Sequence, residues 1–207
     1  MAVSIEYEVK IQVEDLRDVE EKLRKLGAVF EDEVFESDFY IDLRPYKDLK
    51  ASDEALRVRI SYSSRLSRYV SELTYKGPKL TPNMKVRKEI TVGVDDGKKL
   101  LQIFKELGFS YYVIKKKRRI YRYGPYKIFL DEVPNLGRFI EIEVEGVSSV
   151  EQFVNLMKRF VGLLKLSEEF ISKSYLELFM ERLKLMQSDI EAKALEEPAP
   201  EGSKSGG

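Results

Sequence analysis

Apolar and charged side chains alternate along the first predicted strand, and the same alternation returns in several later segments. Residues 5–11 read IEYEVKI, so two glutamates and a lysine project to one side of the strand and apolar side chains to the other. Residues 56–60 (LRVRI) and 139–144 (FIEIEV) repeat this split with an arginine pair and a glutamate pair. One such strand would be an ordinary solvated edge. Several such strands predict a sheet whose charged faces lie opposite each other, with a bound ligand between them.

The full pattern predicts strands interrupted by helices. The β-rich segments, separated by turn residues, are residues 3–13, 34–42, 55–62, 69–76, 85–94, 110–123, 126–133 and 138–146. Apolar residues at helical spacing predict three helices, each running up to a glycine, at Gly27, Gly108 and Gly162. A fourth helix is predicted at roughly 168–187. The expected N-caps of the first three helices are Asp15, Asp95 or Asp96, and the pair Ser148 and Ser149.

These elements predict an α+β fold. About eight antiparallel strands close into a barrel wide enough to hold one small ligand. We therefore predict an eight-stranded antiparallel β-barrel, or tunnel, with helices packed on its outside. Residues 1–187 would form this domain, and residues 188–207, rich in Pro, Gly, Ser and Glu, would be a disordered tail. By strand parity the charged residues inside the barrel would be Glu6, Glu8, Lys10, Arg57, Arg59, Lys76, Arg87, Glu89, Lys116, Arg118, Asp131, Glu141 and Glu143.

Composition narrows the chemistry that such a barrel can perform. The 207 residues include 36 basic and 36 acidic side chains, no histidine and no cysteine. This excludes Cys or His nucleophiles, disulfides and the usual zinc ligands, so a metal would be a hard cation such as Mg²⁺ or Mn²⁺ held by carboxylates. A net charge of zero gives no general attraction to nucleic acid or membrane, so no nucleic-acid partner is expected.

The expected location is the cytoplasm. No apolar run approaches the roughly 18 residues that span a bilayer. The segment 1–4 leads directly into a predicted strand, so we expect no signal peptide.

The charges inside the barrel must be compensated. Leaving them unpaired would cost several kcal/mol per ion, far more than the net stability of a domain. Either the lumen stays wet, or a charged ligand and a metal complete the pairing. Arginine and lysine suit phosphate oxygens, and grouped carboxylates suit a divalent cation that bridges protein and phosphate. An elongated polyphosphate with one or two divalent cations fits both halves of the set.

An ordered series of motifs resembles the CYTH, or triphosphate tunnel metalloenzyme, family over about residues 3–180. A lone ExExK would be weak, but the motifs occur together and in order. They are Glu6-x-Glu8-x-Lys10, Arg57-x-Arg59, Lys76, Arg87-x-Glu89, Lys116-x-Arg118, the run 130–137 (LDEVPNLG) and Glu141-x-Glu143. The resemblance implies an antiparallel tunnel that binds triphosphate end to end. Members of the family include thiamine, inorganic and RNA triphosphatases and class IV adenylyl cyclases.

The resemblance also implies roles for individual residues. Glu6, Glu8, Glu141 and Glu143 would be metal ligands, with Asp131 a helper. Lys10 would sit beside the reacting end and act in catalysis together with Glu6 and Glu8. The triphosphate-binding residues would be Arg57, Arg59, Lys76, Arg87, Lys116, Arg118 and Lys173. The register of the basic run 115–119 stays open by one residue, which would exchange Lys116 and Arg118 for Lys117 and Arg119.

Taken singly, each charged pair fits the solvated face of a strand better than a site, and the run 115–119 also fits a nucleic-acid patch. The ordered combination favours metal-dependent hydrolysis of inorganic triphosphate or of a small organic triphosphate such as thiamine triphosphate. One alternative is an adenylyl cyclase that makes cyclic AMP and pyrophosphate from ATP. Another is a non-catalytic module that binds polyphosphate or nucleotide. The expected partner is a small triphosphate, with the chain a monomer or a homodimer.

Overall fold

Eight antiparallel strands close into a barrel, which confirms the predicted fold class. A computed structural model describes residues 3–81 and 85–195 of the chain. The strands are β1 (Val3–Val13), β2 (Val29–Asp42), β3 (Ala55–Ser63), β4 (Arg68–Lys79), β5 (Lys85–Val94), β6 (Ser110–Tyr123), β7 (Tyr126–Val133) and β8 (Gly137–Val144). Their order around the barrel is β1-β5-β4-β3-β2-β6-β7-β8, and β8 pairs with β1 to close it.

Four helices accompany the strands: α1 (Leu16–Lys25), α2 (Gly97–Glu106), α3 (Val150–Leu164) and α4 (Tyr175–Leu195). The predicted N-caps are confirmed. Asp15 accepts a hydrogen bond from the backbone N–H of Arg17, and Asp96 and Ser149 cap α2 and α3 in the same way. Each of these side chains satisfies a backbone donor that has no partner within the helix.

Several predicted boundaries were wrong. Helix α3 continues through Gly162 to Leu164, whose side chain is fully buried, and ends at Lys165 in the left-handed conformation. Helix α4 starts at Tyr175 rather than at residue 168, because Ser174 and Glu177 cap it: the Glu177 N–H donates to the Ser174 hydroxyl at 3.2 Å and the Ser174 N–H to the Glu177 carboxylate at 2.7 Å. The segment before it is held to β1 by a hydrogen bond from the Ile171 N–H to the carbonyl of Lys10 at 2.8 Å. Strand β2 begins five residues before the predicted 34. Helix α4 also extends past residue 187, and residues 196–207 of the predicted tail lie outside the described residues.

The helices cover the apolar outer face of the barrel. Helices α1 and α3 pack on β1, β6, β7 and β8, where Phe153, Met157 and Phe160 bury their side chains against Ile140 and Ile142. Helix α2 covers β3 and the end of β2 through Leu101. Each fully buried aliphatic or aromatic side chain contributes about 1.5–3 kcal/mol. Most outward-facing apolar side chains of the strands are therefore buried under the helices, and the charged side chains on the other face of the strands point into the lumen.

Helix α4 lies across one mouth of the barrel. Its first residue, Tyr175, is buried against Tyr40 and Phe139 at this mouth. The loop between β2 and β3, residues 43–54, forms the opposite side of the same mouth. Within residues 3–81 and 85–195, no helix has the length and apolar character needed to cross a membrane.

Candidate active site

The lumen of the barrel is a charged cavity of about 660 Å³. This volume lies within the range of small-molecule sites. Most of the predicted inward-facing residues line it: Glu6, Glu8, Arg57, Arg59, Lys76, Arg87, Glu89, Lys116, Arg118, Glu141 and Glu143. Lys10 and Asp131 are completely buried but are not among the residues that line the cavity.

Three glutamates come together on one wall. Glu8 on β1 is directly opposite Glu143 on β8, and Glu6 is two residues along β1 on the same face. One carboxylate oxygen from each lies within 4.8 Å of the other two. Lys76 lies 3.3 Å from Glu6, and Lys85 lies 2.6 Å from Glu8. Within the described part of the chain, Glu143 has no ion pair. We call Glu6, Glu8 and Glu143 the acidic triad.

The carboxyl groups of the acidic triad are close enough to shift each other's pKa values. Burial, followed by the neighbouring Glu6 and Glu8, raises the pKa of Glu143 to about 8. Burial and the charge of Glu141 raise the pKa of Glu8 as well. For Glu6, burial opposes ionisation, but the ammonium group of Lys76 still lowers its pKa. A buried Glu8 between half-buried Glu6 and Glu143, with two lysines for three carboxylates, fits a hard divalent cation, which takes carboxylate oxygens as ligands.

The other two predicted metal ligands are engaged in ion pairs. Glu141 contacts Lys10 at 3.2 Å, Lys85 at 3.1 Å and the guanidinium of Arg118. Burial opposes its ionisation, yet the charges of Lys85 and Lys10 hold the pKa of Glu141 well below its usual value. Asp131 accepts two hydrogen bonds from Arg118, at 2.7 and 2.6 Å, and one from the Tyr175 hydroxyl at 2.7 Å. The structure therefore places Glu141 and Asp131 as partners of cations, outside the acidic triad.

The arginines of β3 lie on the wall opposite the acidic triad, together with two acids that the sequence analysis missed. Asp38 on β2 accepts hydrogen bonds from Arg59 at 2.6 and 2.8 Å and from Lys116 at 3.3 Å. Glu36 lies 3.0 Å from Lys116 and 3.2 Å from Arg59. Arg57 lies 3.8 Å from Asp38. Glu36 and Asp38 alternate with Phe35 and Phe39, so strand parity alone was the signal that could have found them.

A second group of cations lies beside the acidic triad. Lys76 bridges Glu6 and Glu89. Lys85, also missed, bridges Glu8 and Glu141, and it shares its face of β5 with Arg87 and Glu89. Burial, and then a hydrogen bond with Glu6, raises the pKa of Glu89 to about 8. Alternation along the segment 85–89 could have identified Lys85 from the sequence.

Lys10 occupies a closed pocket at the α4 end of the lumen. Its ammonium donates to the backbone carbonyl of Lys173 at 3.0 Å and lies 3.7 Å from the centre of the Tyr175 ring. Burial, and then the charge of Lys85, lowers the pKa of Lys10 to about 7. The side chain of Lys173 points elsewhere: it pairs with Glu181 at 2.8 Å and does not line the cavity. Lys173 therefore meets the site through its carbonyl in this structure.

The register of the basic run 115–119 follows from strand pairing. Lys116 is opposite Glu36 on β2, and Arg118 is opposite Asp131 on β7, so both side chains face the lumen. Lys115 and Lys117 project outward, and Arg119 pairs on the outside with Glu20 of α1. The first of the two predicted registers is the one observed.

The mouth beneath α4 combines charged side chains with a group of apolar and aromatic ones. Its lining includes Tyr40, Leu49, Leu56, Tyr112 and Met180, contributed by three strands, the 43–54 loop and α4. We call these five residues the apolar collar. An organic group attached to a phosphate chain would find apolar and aromatic contacts there.

The protein is a closed antiparallel barrel with helices on its outside. Acidic and basic side chains face each other across its lumen, which makes the lumen a charged tunnel. The CYTH domain model matches residues 4–175, so the chain belongs to the CYTH family. A Methanocaldococcus jannaschii protein named "putative adenylate cyclase" is 36% identical over 179 residues, which cover 84% of this chain and 98% of that protein. Members of the family are enzymes, either adenylyl cyclases or triphosphatases.

Solved structures agree with this assignment. A Pyrococcus horikoshii protein superposes with a TM-score of 0.74 at 33% identity, covering 86% of this chain and 99% of that one. A Hippeastrum protein, described as a "putative adenylyl cyclase" with a dominant triphosphatase activity, has a TM-score of 0.61 at 17% identity. Its coverage is 85% of this chain and 95% of its own, and at this identity the likeness concerns the fold alone.

Proposed function

We propose that this protein is a metal-dependent hydrolase of inorganic triphosphate or of a small organic triphosphate such as thiamine triphosphate. The observation that carries the proposal is the juxtaposition, in one lumen, of the acidic triad with arginines and lysines from five strands, β3 to β7. An anion of several phosphates matches the cations, and a divalent cation matches the triad. A polyphosphate-binding module would need only the cations, so the triad favours catalysis.

Different basic side chains would bind different parts of the phosphate chain. Arg57, Arg59 and Lys116 hold one part of the phosphate chain, and Lys76 and Arg87 hold the part nearest the acidic triad. These side chains are already held by carboxylates, so phosphate oxygens replace carboxylate oxygens and little side-chain ordering is needed. Arg118 stays bidentate on Asp131 and offers its charge from a fixed position. Their combined positive charge stabilises charge that develops on the phosphoryl group and the leaving group.

Glu6, Glu8 and Glu143 are the residues that would hold Mg²⁺ or Mn²⁺. Bound there, such a cation supplies charge neutralisation of phosphate oxygens and a lowered pKa of bound water. Lys10, anchored by the Lys173 carbonyl and Glu141, does not line the cavity, so it would orient the phosphate or the nucleophile indirectly, through its charge and through Glu141.

Adenylyl cyclase activity is the second candidate. The name of the Methanocaldococcus jannaschii relative and the apolar collar both favour a substrate with an organic group. In a cyclase the ribose 3′-hydroxyl of ATP attacks the α-phosphate and pyrophosphate leaves. The sequence contains no identifiable adenine-reading motif, so hydrolysis ranks first.

A product analysis separates the two candidates. The purified protein is incubated with tripolyphosphate, thiamine triphosphate or ATP and with Mg²⁺ or Mn²⁺, and phosphate, pyrophosphate and cyclic AMP are all measured. Release of phosphate from at least one triphosphate, without cyclic AMP, is the expected result. Cyclic AMP with stoichiometric pyrophosphate would replace the hydrolase with the cyclase. Tight tripolyphosphate binding without any turnover would leave only a binding module.

A further inference from the structure

A row of three aromatic side chains and one lysine crosses the outside of the barrel. Lys117 on β6 is directly opposite Phe35 on β2, Phe35 is opposite Tyr62 on β3, and Tyr62 is opposite Tyr69 on β4. These four strands are neighbours in the barrel, so the row spans three strand spacings, about 14 Å. We call Phe35, Tyr62 and Tyr69, with Lys117, the aromatic row.

The rings of the aromatic row are not used for core packing. Tyr69 is 71% exposed and Phe35 is 48% exposed, and none of the three rings belongs to the apolar clusters under the helices. The Tyr62 and Tyr69 ring centroids are 5.2 Å apart, and the Lys117 ammonium lies 5.7 Å from the Phe35 centroid. Contiguous exposed rings of this kind are uncommon on a surface without a binding role.

Positive charge surrounds the aromatic row. A groove of about 810 Å³ over it is also lined by Lys98, Lys115 and Arg138. Among the described residues, neither Lys98 nor Lys115 has an ion pair. The outward-facing acid of the groove is Glu132, which lies 3.7 Å from Arg119, and Lys117 pairs with Glu33 at the edge of the groove at 3.1 Å. The chain as a whole is neutral, so this excess of cations is local.

We propose that the aromatic row and its lysines form a docking surface for single-stranded nucleic acid. Planar rings stack with bases of any sequence, and nearby lysines neutralise the phosphates that link them. A second copy of this chain fits less well, because a two-fold interface would bring the same lysines face to face. Strand β6 would then contact two different anions. Lys116 faces the phosphate chain in the lumen, and Lys115 and Lys117 face the nucleic acid in the groove.

Fluorescence anisotropy tests the proposal with a labelled oligothymidylate of about 12 nucleotides. Excess tripolyphosphate is present so that the lumen is occupied. The wild-type protein should still bind the oligonucleotide, and Tyr69→Ala should weaken binding about tenfold while Tyr69→Phe, which keeps the ring, retains it. Lys115→Ala should lower the slope of log affinity against log salt by about one. Tyr46→Ala, which removes an 83% exposed ring outside the row, and Lys105→Ala are the matched controls and should change nothing.

Other outcomes overturn the proposal. An oligonucleotide that the wild-type protein does not bind, or that tripolyphosphate displaces, has no site on the groove. Equal affinity of Tyr69→Ala and wild-type protein would reduce the rings to cross-strand packing. A homodimer that dissociates in Tyr69→Ala, measured by sedimentation, would assign the row to a second copy of the chain. Melting curves of both Tyr69 variants show whether the fold is intact.

Discussion

Individual carboxylates fix the positions of the arginines and lysines in the lumen through buried ion pairs. Asp38 is 1% exposed and accepts hydrogen bonds from both Arg59 and Lys116. Removing one partner of a buried ion pair costs more than the pair contributes, because the remaining charge is left uncompensated. A phosphate chain would supply that missing negative charge. The same side chain therefore stabilises the ligand-free barrel and competes with the ligand for the same cations.

Replacing Asp38 by Asn tests this competition. Asp38→Asn should lower the free energy of unfolding by about 3 kcal/mol, because Arg59, Arg57 and Lys116 lose their shared partner. Saturating tripolyphosphate should recover most of the loss, since its oxygens compensate the same cations. Chemical denaturation with and without tripolyphosphate measures both effects. Asp18→Asn, on the exposed surface of α1, is the control. A variant that tripolyphosphate fails to stabilise would contradict the assignment of these cations to phosphate.

Low pH should reduce the stability that the protein gains from the ion pairs of Glu36 and Asp38 with Arg59 and Lys116. Burial opposes ionisation of Glu36, but Arg59 and Lys116 lower its pKa to about 2, against an ordinary value of 4.5. A depressed folded-state pKa gives stability that is complete above pH 4.5 and is lost as the pH falls toward 2. Urea denaturation between pH 6 and 2 should show this loss, on the order of 2–3 kcal/mol, and a smaller loss in Glu36→Gln. Equal acid sensitivity of variant and wild type would contradict it.

At the scale of elements, helix docking depends on how closely backbones approach. Gly97 opens α2 against the outer face of β3 and β4, and a Cβ there would lie 2.7 Å from the Ser71 hydroxyl and 2.9 Å from Ile60. Gly162, inside α3, has no atom within 4 Å of its Cβ position. The two glycines have different roles: Gly97 permits contact, whereas Gly162 only weakens its helix.

Alanine at these two positions should therefore have opposite effects. Gly97→Ala should destabilise the protein by about 1–3 kcal/mol, because α2 must move off the sheet. Gly162→Ala should stabilise it by about 0.5–1 kcal/mol, because glycine is a poor helix former. Thermal unfolding of both variants measures the difference. Destabilisation of similar size in both would contradict the packing described for α2.

At the scale of the whole molecule, the period of two along the strands predicted most of the site. It placed the charged residues of β1, β3, β5 and β8 on the inner face, and barrel closure follows from having eight such strands. Parity does not say which opposite charges meet: Glu141 and Asp131, predicted as metal ligands, both pair with Arg118 in this structure, and their role toward a metal stays a prediction. The start of α4 has a local sequence signal, because Ser174 and Glu177 form a capping box. The contact of the Lys173 carbonyl with the Lys10 ammonium has none, because it joins distant segments of the chain.

The central claim is that the lumen binds a metal and a triphosphate together and hydrolyses the latter. Its most direct test is the rate of phosphate release from the preferred triphosphate, with and without Mg²⁺ or Mn²⁺, in wild type and Glu143→Gln. Glu145→Gln, two residues further along the chain in the turn that follows β8 and paired with Arg122 on the surface, is the matched control. We expect metal-dependent release that falls about 100-fold or more in Glu143→Gln and is unchanged in Glu145→Gln. Turnover that needs no metal, or that survives Glu143→Gln undiminished, would contradict the account.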